Sequence, residues 1–195
     1  MAKFLISYQI TMKHEGGYVN DPDDAGGETY KGISRRFNPS WKGWGIVDIA
    51  KDSPEWPLFS SDTIRTLDIY CEDFFKEHYW DPVMGDYIPD QEIAGELFDT
   101  AVNCGIQRAA TFLQEALNIL NKNEEWYEDV VVDGGMGSQT LGALESYMAM
   151  SGSDTELLLK VMNCLQANHY ISYMKTSPEK EKFARGWLNN RVQFS

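Results

Sequence analysis

The sequence predicts a mainly α-helical protein with a small β element just after its first helix. Apolar residues recur at helical spacing through most of the chain, as in Ile64, Leu67, Cys71, Phe74 and Phe75. Short extended pieces, by contrast, are confined to one stretch rich in Gly, Asp and Asn, residues 18–34. Glycine and proline fall mostly between the helical patterns, where they end or start helices.

Residues 3–14 are expected to form the first helix, with Leu5, Tyr8 and Met12 on one stripe and Gly16 and Gly17 as its stop. The pieces "GYV" and "ETYKGIS" predict a β-hairpin or three-stranded flap. Residues 35–60, dense in Pro, Gly and Trp, read as an ordered irregular loop. Ser61 is placed as the cap of a strong helix that ends before Asp81-Pro82. Two further helices carry Ile93, Leu97, Phe98 and Ala101, then Ile106, Ala110, Leu113, Leu117 and Leu120, with a break at Gly105. The turn "DGGMGSQT" opens a helix faced by Leu141, Leu144 and Met148, and Asp154 caps the next, through Leu165. A short helix starts at Ser177-Pro178 and spaces Phe183 and Trp187 at i, i+4.

At 195 residues the chain can bury a real core, and no apolar run reaches the roughly 18 residues of a membrane span. No membrane insertion is expected, nor a Sec signal peptide, because Gln9, Thr11 and Lys13 interrupt the N-terminal apolar run. The net charge of −13 is uneven: residues 1–60 hold 7 basic and 8 acidic side chains, and residues 61–195 hold 10 and 22. Such a surface repels polyanions, which excludes a nucleic-acid partner. Cys71, Cys104 and Cys164, odd in number and set in helical patterns, read as buried free thiols.

At about 100° per residue, Leu5, Tyr8, Met12 and Glu15 fall within roughly 80° of one another, so Glu15 extends the apolar stripe. A carboxyl held against apolar groups keeps its proton near neutral pH, as a general acid must. A helix-terminal glutamate that turns to solvent is the plainer alternative. Asp21, Asp23 and Gly26 match three positions of a calcium loop, but Ala25 and Gly32 stand where ligands are needed, so no metal is expected. Asp24 is better read as a second carboxylate facing Glu15, the pairing glycoside hydrolysis uses. Phosphate-loop, nucleophile-elbow, HExxH and CxxC patterns are missing from the sequence.

The run Glu15-Gly16-Gly17-Tyr18-Val19-Asn20-Asp21-Pro22, with Asp24, Gly26, Gly27, Thr29 and Gly32-Ile33, resembles the N-terminal signature of glycoside hydrolase family 108, the lysozyme-like N-acetylmuramidases. The segments "IYCEDFFKEHYWDP" and "LFDTAVNCGIQRAATFLQEAL" are similar to later parts of that family. "VDGGMGSQTLGAL" and "FARGWLNNR" resemble the peptidoglycan-binding segment usually fused behind it. The resemblance implies a lysozyme-like fold, a catalytic part over residues 1–90 and a helical peptidoglycan-binding part over 91–195; the lack of a linker between them suggests that they pack as one bilobal body. It also implies Glu15 as catalytic acid. Spacing similar to phage-type lysozymes adds Asp24 and Thr29.

The expected function is therefore a monomeric peptidoglycan muramidase that needs no cofactor and cuts the β-1,4 bond between N-acetylmuramic acid and N-acetylglucosamine. Its partner is the glycan strand. It is expected to be made in the cytoplasm and to reach the wall by release or export. A carboxyl separation of about 6.5–9.5 Å, which leaves room for a water, is favoured over the shorter gap of a direct nucleophile. A lytic transglycosylase and a non-catalytic wall-binding protein stay open as alternatives, since some members of the family are labelled secretion activators. Tyr18, Trp41 and Trp44 are candidates for stacking on sugar rings, with core anchoring equally open for the two tryptophans. Asp99 and Asn103, at i, i+4, can bind acetamido or hydroxyl groups or simply form a buried polar pair.

Overall fold

A computed structural model describes residues 1–14, 17–20, 27–54, 56, 59–150 and 154–192, with the backbone only at His14. Its described residues form eight α-helices and one three-stranded antiparallel sheet. The chain divides into two compact units, residues 8–78 and residues 1–7 with 79–195.

Helix α1 (Phe4–Thr11), whose second half falls in the unit of residues 8–78, gives way to a 3-10 turn, Met12–His14. Strand β1 (Tyr18–Asn20) pairs with β2 (Glu28–Tyr30), which pairs with β3 (Ile33–Ser34). The register sets Tyr18 opposite Tyr30, Val19 opposite Thr29 and Tyr30 opposite Ile33. Lys31 and Gly32 join β2 to β3 with φ of 44° and 81°. A two-residue turn with both φ positive matches the twist of the strands it connects, and glycine takes up that backbone without strain.

The segment expected to be an irregular loop contains a helix, α2 (Gly43–Lys51). Gly43 and Gly45 are poor helix formers, but Trp44 and Val47 at i, i+3 are buried and tertiary packing overrides propensity. Helix α3 (Ser61–Phe75) is capped by Ser60 rather than Ser61: the Ser60 hydroxyl accepts from the Thr63 amide at 3.2 Å. The core of this unit gathers Tyr8, Tyr30, Ile33, Trp41, Val47, Leu67, Cys71 and Phe75. Tyr30 lies nearly parallel to Trp41 at 6.0 Å, and Trp44 meets Trp41 edge-on at 5.0 Å.

The stripe on α1 differs from the expected one. Tyr8 is buried, but Leu5 is half-exposed, and the buried positions are Phe4, Ser7, Tyr8 and Thr11. Two polar residues on the inner face disguise it as outer surface. Since α-helical geometry stops at Thr11, the angular projection used for Glu15 has no basis beyond that point.

In the second unit, Phe4, Trp80 and Phe98 meet edge to face at 5.7–6.0 Å. The Trp80 indole N–H donates to Asp86 at 2.8 Å, which satisfies the polar atom of a ring with no exposed surface. Helix α4 (Gln91–Cys104) is capped by Asp90, whose carboxylate accepts from the amides of Glu92 and Ile93. Gly105, at φ 94°, breaks the chain before α5 (Ile106–Leu120). After α6 (Ser138–Ala149), Asp154 caps α7 (Thr155–Thr176) through the Leu157 amide. Pro178–Phe183 forms a 3-10 turn, and α8 (Ala184–Asn190) follows it instead of beginning at Pro178. The thiols differ among themselves: Cys71 is buried, Cys104 partly so and donating to the Tyr170 hydroxyl at 3.3 Å, and Cys164 is exposed. Met162 and Leu158 take the inner face of α7, so position 164 turns outward.

Between α5 and α6 the backbone is held by amide side chains from α5. Gln114 donates to Asp133 and the Gly135 carbonyl and accepts from the Gly134 amide, while Asn118 bonds the amide and carbonyl of Val130. Gly134 has φ 72°, and a Cβ there would lie 2.9 Å from the Gln107 carbonyl oxygen. Gly134→Ala is therefore expected to destabilise this unit by about 1–3 kcal/mol. A urea unfolding midpoint equal to that of the wild type would contradict this.

Candidate functional site

Glu15 and Asp24 lie outside the described residues, and with them the expected carboxyl separation. What the structure does describe is the sheet of residues 18–20, 28–30 and 33–34. Thr29 sits mid-strand on β2, half-buried, and its hydroxyl donates to the Gly27 carbonyl at 3.1 Å. Strand alternation puts Thr29 on the sheet face opposite Glu28 and Tyr30, the same face as Val19.

Tyr18 lies on β1 against Trp56, ring to ring at 4.7 Å, and its hydroxyl bonds Glu28. Burial, reinforced by Glu28, raises the Tyr18 phenol above its ordinary range, so it stays protonated and donates. Glu28 in turn meets two cations: Arg35 at 2.8 Å and Lys51 at 2.5 Å. Arg35 grips Asp48 with both terminal nitrogens, at 2.6 and 3.0 Å, and Lys51 reaches Asp48 at 3.2 Å. The Asp48 carboxyl is held below the usual carboxylate range chiefly by its hydrogen bond to Arg35. This four-charge network ties the β2 strand to α2 and fixes the flap that carries Tyr18 and Thr29. The sequence reading missed it.

The two tryptophans proposed for sugar stacking are both buried, at 7% and 4% exposure. Trp41 donates its indole N–H to the Tyr70 carbonyl at 3.2 Å, and Trp44 donates to the Asn38 carbonyl at 2.8 Å. The Arg35 guanidinium lies 4.5 Å over the Trp44 ring. Trp44 thus works as a core anchor. Trp41 also forms one wall of a cavity of about 390 Å³ with Lys42, Tyr70, Asp73, Phe74 and His78. There Lys42 pairs with Asp73 at 2.7 Å while its ammonium sits 4.2 Å over Tyr70, and His78 stacks on Phe74 at 4.2 Å.

Asp99 and Asn103 belong to the other unit, on α4. The Asn103 amide donates to the Asp99 carbonyl and carboxylate at 2.8 and 3.2 Å, and Arg191 closes on the same carboxylate at 2.6 Å. That ion pair, with exposures of only 11% and 17%, pins the end of α8 to α4. Among the described residues no group of three or more His, Cys, Asp or Glu side chains is close enough to hold a metal ion.

The flap segment falls inside the match to a family model described as Glycosyl hydrolase 108, which covers residues 8–105. The chain belongs to glycosyl hydrolase family 108. A second match, described as Predicted Peptidoglycan domain, covers residues 108–192 of this family 108 protein. Among solved structures it is similar to SagA of Brucella abortus, at 22% identity and a TM-score of 0.60, over 96% of this chain and 88% of that one. That likeness shows a shared fold. No curated protein matches the chain. The two matched segments support a lysozyme-like protein that acts on the cell wall, with peptidoglycan as its partner. No helix among the described residues is long and apolar enough to cross a membrane.

Proposed function

We propose that the protein is a peptidoglycan N-acetylmuramidase that hydrolyses the β-1,4 bond between N-acetylmuramic acid and N-acetylglucosamine. The observation that carries this reading is the family 108 match across residues 8–105, which includes the Glu15 to Thr29 segment, followed directly by the peptidoglycan segment. In this reading Glu15 protonates the leaving glycosidic oxygen. Asp24 directs a water to the anomeric carbon, and the Thr29 hydroxyl, already oriented by its bond to the Gly27 carbonyl, helps hold that water. Tyr18, braced by Glu28, is assigned to stacking on a sugar ring. The working division places catalysis in residues 1–90 and glycan holding in residues 91–195.

Hydrolysis and transglycosylation leave different ends on the muramic acid. If water is the acceptor, mass analysis of digested sacculi will show reducing muramic-acid ends. Predominantly anhydro ends, about 18 Da lighter for the lost water, would mean the sugar's own hydroxyl closes the ring, and the role given to Asp24 would fall.

A further inference from the structure

Aromatic side chains behave differently in two parts of this molecule. In the cores they meet mostly edge to face, as in Phe4 with Phe98 at 87° and Trp41 with Trp44 at 83°. Along α7 and α8 the planes are nearly parallel. His169 and Tyr173 are inclined by 3°, Tyr173 and Trp187 by 26°, and Phe183 and Trp187 by 29°, with successive ring centres 5.6–6.3 Å apart. The sequence sets this up: positions 169 and 173 are i, i+4 on α7, and the Pro178–Phe183 turn returns the chain so that 183 and 187 lie alongside.

The strip is anchored from below and open above. Tyr170, only 3% exposed, stacks under Trp187 at 5.1 Å and packs with Met174 and Val192. Tyr173 and Phe183, however, are 41% and 43% exposed. Single exposed aromatics need no explanation, but a contiguous row of them marks a binding surface.

Charge indicates what binds there. Residues 175–191 carry five basic side chains against two acidic ones; Arg191 is taken up by Asp99, which leaves Lys175, Lys180, Lys182 and Arg185. Lys182 lies 4.9 Å from the centre of the Phe183 ring, and the charge of Arg108 acts on His169 at the other end. An aromatic row bounded by cations, on a chain of net charge −13, suits a ligand with flat apolar faces and spaced carboxylates.

We infer that Tyr173, Trp187 and Phe183 form a stacking platform for peptidoglycan glycan strands stripped of their stem peptides, with Lys182 meeting the lactyl carboxylates that removal of the peptides frees. This rests on peptidoglycan being the partner and locates where residues 108–192 hold it. The apolar faces of pyranose rings lie on the aromatic planes. The platform uses none of the residues assigned to the acid chemistry, so it acts by retaining the strand.

The test uses the full chain and two probes, purified sacculi and glycan strands freed of stem peptides by an amidase. A Tyr173→Ser, Phe183→Ser double variant removes two exposed rings, and its thermal melt should match the wild type. Its affinity for peptide-free strands is expected to fall about tenfold or more. Lys182→Ser should weaken binding further as salt is lowered. Unchanged affinity in the double variant overturns the platform. So does a wild type that cleaves sacculi yet ignores peptide-free strands, which would assign retention to the peptides, or loss of a dimer on substitution, which would make the strip a contact between copies. Lysis that survives Glu15→Gln strikes the muramidase reading alone and leaves the platform standing.

Discussion

Replacing Glu15 with glutamine is expected to slow clearing of purified peptidoglycan by at least about 100-fold, with the fold intact. The amide has nearly the shape of the carboxyl but no acidic proton to give the leaving oxygen. In energy the loss is about 2.7 kcal/mol or more of transition-state stabilisation, within the range removed when a positioned acid is deleted. Binding to peptide-free glycan strands should be retained, because the platform on α7 and α8 does not use Glu15. Turbidity measured beside a thermal melt separates the outcomes. A folded variant that clears the wall at wild-type rate would end the catalytic reading and favour a protein that only binds the wall.

The helical framework was legible because periodicity and caps are local signals. Asp90 and Asp154 cap where a carboxylate before an apolar run should, and Gly105 breaks the chain with the positive φ that its residue type permits. Features that depend on distant partners were not legible. Helix α2 is poor in helix formers and exists because Trp44 and Val47 find a core. The inner stripe of α1 hides behind Ser7, which accepts a hydrogen bond from Gln91, a residue 84 positions away. The Glu28, Arg35, Asp48 and Lys51 network joins positions with no common period. For the candidate site, chemistry was readable and use was not: an indole looks the same in sequence whether it stacks on a sugar or fills a core. Burial decides that Trp44 fills a core, and exposure shows the rings at 173 and 183.

The pH dependence of stability should carry the mark of one residue, Glu96. It projects from α4 toward α7, where the Thr100 hydroxyl donates to it at 3.2 Å and Asn163 bonds it. Gln166, with no exposed surface, donates to the same Thr100 hydroxyl at 2.9 Å. Burial, and secondarily the neighbouring charge of Asp99, pushes the Glu96 carboxyl up from 4.5 to about 7. Folding therefore favours the protonated form. Below about pH 4.5 the carboxyl is neutral in both states and its contribution is complete. Between about 4.5 and about 7 the unfolded chain ionises first, and stability falls by about 1.4 kcal/mol per pH unit. Above that the deficit levels off at about 3 kcal/mol. Glu96→Gln keeps a neutral group of the same shape in both states. The variant should match the wild type near pH 4 and exceed it by an amount that grows to about 3 kcal/mol by pH 8. Urea unfolding of both proteins across that range measures the difference directly. A gap between them that stays constant with pH would show that Glu96 is already ionised in the folded protein at neutral pH.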